Sequence, residues 1–209
     1  MKHLIFDFDG TLVDSFETAI KIFNILSQEF HVRQIEATDM EALRAIEAKD
    51  MLKKLHFPMY KLPFILYRAK KLAQKEMAFL KPFPGMPEVI KTLHQSGFHL
   101  GIVSSNSVEN VQSWLDQHDI LNCFDFVQTA SQYFRKEKAL LKAIKKFQLD
   151  KDHLCYIGDE TRDIEAAQRS GIDAMAVTWG FNCEHILKSH HPQYIARQPD
   201  DILKVFCPD

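Results

Sequence analysis

The sequence predicts a parallel α/β protein with a helical unit inserted after its first strand. Short apolar runs closed by polar or glycine punctuation alternate with amphipathic stretches of about ten residues, the signature of strand–helix–strand units. One long stretch, 16–82, shows helical periodicity alone. The run Pro82-Phe83-Pro84-Gly85 then punctuates its end.

Four runs read as buried strands: His3–Phe6, 99–103, 153–157 and 174–177, with 124–127 a weaker fifth. In the inserted stretch, Phe16–Phe30 places Ile20, Phe23, Leu26 and Phe30 on one stripe. Helical patterns follow over 40–55 and 64–79, and Pro58 and Pro63 mark a break between them. After the insert, Met86–Gln95 carries Met86, Val89, Ile90 and Leu93 and stops before Gly97. The helix predicted over 108–116 opens after Ser107, a suitable N-cap. Residues 136–147 carry Ala139, Leu140, Ala143, Ile144 and Phe147 on one face. Thr161–Ser170 ends at Gly171, suited to a left-handed helix end.

At 209 residues the chain falls between one and two domains on a prior of roughly 150 residues per domain. Its formal charge is -2, which argues against nucleic acid as the partner. With 46% apolar residues it lies outside the disordered class. The charge is unevenly spread. Residues 16–82 hold 12 Lys and Arg against 8 Asp and Glu, while the remainder holds 14 against 20. Four of the positive charges fall within 68–75, either a solvated helix face or a means of drawing anions toward an acidic site. The four cysteines show no Cys-x-x-Cys spacing and read as reduced thiols, with no disulfide framework and no zinc site. No apolar run approaches the roughly 20 residues of a membrane span, and Asp7 comes too early for a signal peptide. The expected location is the cytoplasm, with no membrane and no protein partner implied.

Ligands of an open parallel sheet bind beyond the carboxyl ends of its strands. There the first strand is followed by Asp7-Phe8-Asp9-Gly10-Thr11, the second by Ser104-Ser105-Asn106, and 153–157 by Gly158-Asp159-Glu160-Thr161-Arg162-Asp163. Carboxylates converging on one crevice call for a hard divalent cation, and Mg2+ suits a site that also takes phosphate. With that charge present, Asp7 is a feasible nucleophile toward phosphorus, and Asp9, two residues on, can act as general acid and base. Ser104 and nearby amides can hold phosphoryl oxygens, and one lysine can neutralise developing charge.

The run Asp7-Phe8-Asp9-Gly10-Thr11-Leu12-Val13-Asp14-Ser15 resembles the first motif of the haloacid dehalogenase-like hydrolases, in their phosphoglycolate phosphatase-like branch. Ser104 occupies the place of the second motif, and Gly158-Asp159-Glu160-Thr161-Arg162-Asp163 matches the Gly-Asp-x-x-x-Asp form of the fourth. The resemblance covers nearly the whole chain. It implies a doubly wound, Rossmann-like core of 1–15 and 83–209 with an α-helical cap of 16–82. It implies further that Asp7 forms an aspartyl-phosphate and binds Mg2+. Asp9 would protonate the leaving alcohol, activate water and lend its carbonyl to the metal, and Asp159 would complete the metal site. Asp163 would stand behind them, orienting the lysine or a water on the metal; the alternative is a first-turn acid placed by the helix dipole.

For the third-motif lysine, Lys136 is preferred and Lys138 is second, because the common Lys-Pro pair is missing from Phe134-Arg135-Lys136-Glu137-Lys138. Gly10, Thr11, Ser105 and Asn106 are the candidate substrate-binding residues; Ser105 and Asn106 also read as a turn and helix cap. Arg44 and Lys49 are candidate contacts for a substrate anion or solvated helix charges. The ten histidines, including His185, His190 and His191, read as surface or structural residues, the 16 Phe as packing, and Cys155 as a small buried apolar residue.

The expected activity is Mg2+-dependent hydrolysis of a small phosphorylated metabolite, phosphoglycolate-like or a sugar phosphate. A phosphomutase of the β-phosphoglucomutase kind is the alternative with the same chemistry, and a non-catalytic phosphate-sensing or protein-binding module is the alternative of another class. A dehalogenase is disfavoured by the presence of Asp9, and phosphonate cleavage by the nucleophile motif.

Overall fold

The computed structural model describes residues 3–47, 50, 54, 59–130 and 136–208. Six strands form one sheet: β1 (His3–Phe6), β2 (His99–Ser104), β3 (Phe126–Thr129), β4 (Leu154–Gly158), β5 (Asp173–Val177) and β6 (Tyr194–Ala196). Their order is β3-β2-β1-β4-β5-β6, and every pairing is parallel. The α/β class is therefore as predicted, and the order is that of a doubly wound sheet. It reverses between β1 and β4, so the ligand crevice of such a sheet lies at their carboxyl ends.

Alternate residues of β1 enter opposite cores, as the strand period of two requires. Leu4 and Phe6 join one apolar cluster with Met86, Ile90, Leu93 and Trp114. Ile5 joins the other with Leu140, Ala143, Ile164 and Ala167. Both faces are thus covered by helices, which is why the strands read as continuous apolar runs rather than alternating ones.

Between β1 and β2 lie α1 (Phe16–Phe30), α2 (Met40–Arg44) and α3 (Leu62–Glu76). They have an apolar cluster of their own, built on Ile22, Leu26, Ile35, Leu43 and Ile65. The chain enters and leaves this insert through two adjacent linkers. Asp14 N–H donates to the Lys81 carbonyl at 2.9 Å and Phe83 N–H to the Leu12 carbonyl at 3.1 Å. Helix α4 (Met86–Gln95) leads into β2, and after β2 come α5 (Val108–Gln117), α6 (Lys136–Lys146), α7 (Thr161–Ser170), α8 (Glu184–Ser189) and α9 (Asp200–Phe206).

Several boundaries differ from those expected. The strand expected at 124–127 begins two residues later, because Leu121–Cys123 close a 3-10 turn and ladder contact starts with Asp125 N–H on the Leu100 carbonyl at 2.8 Å. His153 belongs to a 3-10 turn rather than to β4, whose first residue is Leu154. The helix expected over 40–55 leaves helical geometry after Arg44, and Asp50 and Lys54 are helical again; most of its remainder lies outside the described residues, as do Lys49 and Pro58. Pro63 lies in the first turn of α3, at the break expected before that helix, where a missing N–H has no cost. The short elements β6, α8 and α9 had no place in the sequence reading. All four cysteines are free, as expected. Among the described residues, no helix is long and apolar enough to cross a membrane.

Trp114 ties the end of the insert to the core. Its indole N–H donates to the Leu80 carbonyl at 2.8 Å, and its ring meets Phe8 edge-on at 5.2 Å. Trp114→Ala is expected to cost about 3–5 kcal/mol. Trp114→Phe, which leaves the Leu80 carbonyl without its buried donor, should cost about 1–3 kcal/mol. Denaturant unfolding checks both, and an unchanged midpoint in Trp114→Phe would show that this hydrogen bond is not a stabilising tie.

Candidate active site

The site assembles at the sheet reversal because three strand ends meet there. Asp7 continues β1, and its N–H donates to the Ile157 carbonyl of β4 at 2.8 Å. The chain then turns on the Phe8 carbonyl, which accepts from Leu12 and Val13 N–H at 3.0 and 3.1 Å. Gly10 supplies the left-handed conformation of that turn, with φ +76. A Cβ on Gly10 would fall 2.2 Å from Asp159 Oδ2, so the loop can approach β4 this closely only without a side chain.

Three acids and one cation form the centre. Asp7, Asp159, Asp163 and Lys136 are 3%, 0%, 1% and 5% exposed. Lys136 Nζ donates to Asp7 Oδ2 at 2.6 Å and to Asp163 Oδ1 at 2.5 Å. Lys136 is the first residue of α6, whereas Lys138 is exposed. The structure thus brings the preferred lysine to the acids, and Arg135 lies outside the described residues. Asp163 also closes a capping box on α7, with Glu160 N–H donating to its Oδ2 at 3.0 Å. Asp163 thus stands in the first turn of α7 and at the same time contacts Lys136. Glu160 is buried and ion-paired with Arg162.

One carboxylate oxygen from each of Asp7, Asp159 and Asp163 lies within 4.8 Å of the others. An all-oxygen donor set with an excess of negative charge fits a hard divalent cation. Asp9 is not part of this set. It is half-buried, and its Oδ2 accepts from Asn106 Nδ2 at 3.2 Å. Ser104 closes β2, nearly fully buried, with its Oγ accepting from Asn106 N–H at 3.0 Å. Asn106 is fixed in turn by Ser107 N–H and Asn110 Nδ2 on its Oδ1 at 2.9 and 3.1 Å. Thr11, read as a substrate contact, is fully buried and donates its hydroxyl to Asp159 Oδ1 at 3.0 Å. Ser105 sits half-buried on the same loop as Asn106.

The loop leaving β5 carried no recognised signal, yet it completes the site. Phe181 N–H donates to Asp159 Oδ2 at 2.7 Å, and Thr161 N–H donates to Asn182 Oδ1 at 3.0 Å. Trp179 Nε1 donates to the Thr11 carbonyl at 3.1 Å. The position of Trp179-Gly180-Phe181-Asn182 directly after a strand is the one clue that could have found it. Arg44 reaches this loop from the insert, donating to the carbonyls of Trp179 and Gly180. A second group of ligand types, Glu47, Glu165 and His190, is half-buried and lies away from the acids; His190 contacts both glutamates, at 3.9 and 3.5 Å.

Burial dominates the electrostatics. It raises the carboxyl of Asp7 to about 7 against the pull of Lys136, and Asp163 adds to the rise. It raises Asp159 well above the carboxylate range, helped by Glu160, Asp163 and Asp7. Asp9 is raised by burial, opposed by the Asn106 hydrogen bond. For Lys136 burial works downward, but Asp163 and Asp7 outweigh it and hold the ammonium charged.

A model of the haloacid dehalogenase-like hydrolases matches residues 4–177. The chain is 32% identical over 204 residues to a phosphoglycolate phosphatase from Synechococcus elongatus, covering 98% of this chain and 96% of that one. It is 23% identical over 205 residues to a pyrophosphatase from Halalkalibacterium halodurans, covering 97% and 95%. Among solved structures, a haloacid dehalogenase-like hydrolase from Streptococcus pneumoniae superposes with a TM-score of 0.84 at 23% identity, covering 99% and 98% of the two chains.

The raised carboxyls give a pH dependence. A folded state that keeps a proton the unfolded chain releases above about 4 gains stability at low pH, and loses it as pH rises through about 7. Metal-free protein should therefore be less stable at pH 8 than at pH 5.5 in denaturant unfolding, and a millimolar divalent cation should reverse the order. Equal midpoints at both pH values without metal would contradict this account of the acids.

Proposed function

The chain belongs to the haloacid dehalogenase-like hydrolases, and from that premise we propose that it is a Mg2+-dependent phosphatase of small phosphorylated metabolites. The observation that supports this most is the buried set of Asp7, Asp159 and Asp163 around Lys136, with Asp9 standing apart from it. Carboxylates this crowded are costly unless a cation or a reaction needs them. The relatives' names, phosphoglycolate phosphatase and pyrophosphatase, point to substrates with one small anionic group beside the reacting phosphate.

In this reading Asp7, Asp159 and Asp163, with the Asp9 carbonyl, hold Mg2+, which supplies the positive charge that lets a carboxylate approach an anionic phosphate. An Asp7 carboxylate oxygen attacks phosphorus as the bond to the leaving alcohol breaks, forming an aspartyl-phosphate. Asp9 gives its proton to the alcohol, a role suited to a carboxyl whose pKa burial raises above its ordinary value. Asp9 then takes a proton from water as the water oxygen bonds to phosphorus, and phosphate and the Asp7 carboxylate are released. Lys136 balances charge on Asp7 and on the phosphoryl oxygens, while Ser104 and the amides after it hold those oxygens. Asn106 holds Asp9 in place, and Gly10 and Thr11 act by fixing Asp159 rather than through direct contact with substrate. Residues 16–82 serve as a cap over a core of 1–15 and 83–209; their separate apolar cluster and paired linkers support this. Four free thiols suit the reducing cytoplasm.

Wild-type protein with Mg2+ should release phosphate from an aryl phosphate, and Asp7→Asn should reduce kcat by at least about 10³-fold, since it removes the nucleophile. Asp9→Asn should allow at most slow turnover and trap phosphate on Asp7, visible as a mass increase of the intact protein. Undiminished hydrolysis by Asp7→Asn would overturn the mechanism. A screen of phosphorylated metabolites for phosphate release, run beside sugar-phosphate isomerisation, separates phosphatase from phosphomutase.

A further inference from the structure

The four residues Trp179 to Asn182 each face two ways. Toward the acids, Trp179 Nε1 binds the Thr11 carbonyl, Gly180 lies where a Cβ would come within 2.3 Å of Asp159 Oδ2, Phe181 N–H binds Asp159, and Asn182 Oδ1 accepts from Thr161 N–H. Toward the insert, the carbonyls of Trp179 and Gly180 accept from Arg44, the Phe181 ring meets Phe16 edge-on at 5.5 Å, and Asn182 Nδ2 donates to the carbonyls of Arg44 and Ile46 at 3.3 and 3.0 Å. Cys183 N–H adds a bond to the Arg44 carbonyl at 2.8 Å. The loop is anchored in the sheet before it, by Thr178 N–H on the Ala196 carbonyl at 3.0 Å, and in α8 after it.

We infer that Arg44 and Asn182 are positioning residues that make the placement of Asp159 depend on docking of the helical insert. Neither side chain bonds an acid of the metal set directly. Arg44 acts through the Gly180 carbonyl, which shares one peptide unit with the Phe181 N–H that binds Asp159, and through the Trp179 carbonyl of the unit before it. Asn182 acts through Thr161 N–H at the start of α7, the helix that also carries Asp163. When the insert lifts, five hydrogen bonds to 44–46 are released together, and the loop loses what holds it on its outer side. Arg44 Nε is buried with no hydrogen-bond partner among the described residues, and the guanidinium lies over the Phe16 ring at 5.0 Å. Coupling of this kind is reciprocal, so a cation bound by the acids must favour docking as much as docking favours the cation. The inference rests on the metal-dependent reading above, and it adds a means by which an empty, open site binds its metal less tightly than a closed one.

Amide exchange and Mg2+ calorimetry on the full chain test it, because neither needs substrate. In metal-free protein, Arg44→Ala should speed exchange of the Phe181 and Thr161 amides by about tenfold. It should also weaken Mg2+ binding by about fivefold or more. Arg44→Lys, which keeps a donor, should restore part of both. Added Mg2+ should slow exchange over 40–46 in wild type and not in Arg44→Ala. Kinetically, Arg44→Ala should lower kcat at limiting Mg2+ and recover it at saturating Mg2+ with KM little changed, a split that a general loss of fold would not produce. If Arg44→Ala frees 40–46 while the Phe181 and Thr161 amides and the Mg2+ affinity stay at wild-type values, the inference is overturned. A wild type that binds Mg2+ yet releases no phosphate would sink the phosphatase reading and leave these arms intact. If wild type bound no Mg2+, the exchange rates in Arg44→Ala would still decide the coupling.

Discussion

Three buried carboxylates share one buried ammonium, and the rest of the site is arranged around that imbalance. Lys136 can neutralise one charge, and it divides its contact between Asp7 and Asp163. Asp159 is left to dipoles: the Thr11 hydroxyl and the Phe181 amide. Two neutral donors stabilise a carboxylate far less than an ion does in a water-excluded site, which is why burial raises its pKa so strongly. A protein selected for stability alone would replace such a group by packed apolar side chains at little loss. Its retention in a crevice at the sheet reversal is the physical reason to look for a cation and a reaction there.

The local backbone follows from the same centre. Gly10 and Gly180 approach Asp159 from two loops, and a Cβ on either would overlap its carboxylate. Gly158 is hemmed in by Asp163, whose Oδ2 would lie 2.5 Å from a Cβ there. These glycines let three backbone segments close on charged side chains without admitting solvent. The capping box of α7 adds a second use of one acid: Asp163 binds the Glu160 N–H with one oxygen and Lys136 with the other. Helix start and site are thereby one structure, so altering Asp163 disturbs both.

Much of this was legible because chemistry and periodicity coincide. Apolar runs buried on both faces announced β1, β2, β4 and β5, and the first three of these are followed at once by polar residues that strand-end geometry gathers into one crevice. Lys136 could be preferred over Lys138 only from motif position; the structure adds that Lys136 opens α6 while Lys138 points to solvent. Other features were illegible for definable reasons. β6 has three residues and sits at the sheet edge, too short for an alternating or continuous pattern to register. The helical pattern over 40–55 is interrupted after Arg44, where the backbone turns and the carbonyls of Arg44 and Ile46 meet Asn182, although Asp50 and Lys54 within it are helical. Thr11 reads from the sequence as a substrate contact; only the structure shows that its hydroxyl donates to Asp159 Oδ1. Residues 178–182 after β5 carry no titratable side chain, so nothing in a search for acids, bases or metal ligands would stop there.

That loop nonetheless follows from strand order. In the order β3-β2-β1-β4-β5-β6, β4 lies between β1 and β5. The segment leaving β5 must therefore emerge beside the acid that leaves β4, and Phe181 and Asn182 fall within reach of Asp159 and Thr161. The insert emerges from β1, on the other flank of β4, and any part of it that covers the crevice must cross toward β5 to find a rim. Arg44, with its long side chain and fork of donors, meets there the carbonyls that the loop cannot satisfy internally. A closure contact made anywhere else on the rim would bind the insert without touching Asp159. By landing on this loop, it makes closure and the setting of the last acid the same event, which places the coupling in the topology and the choice of Arg44 and Asn182 in the sequence.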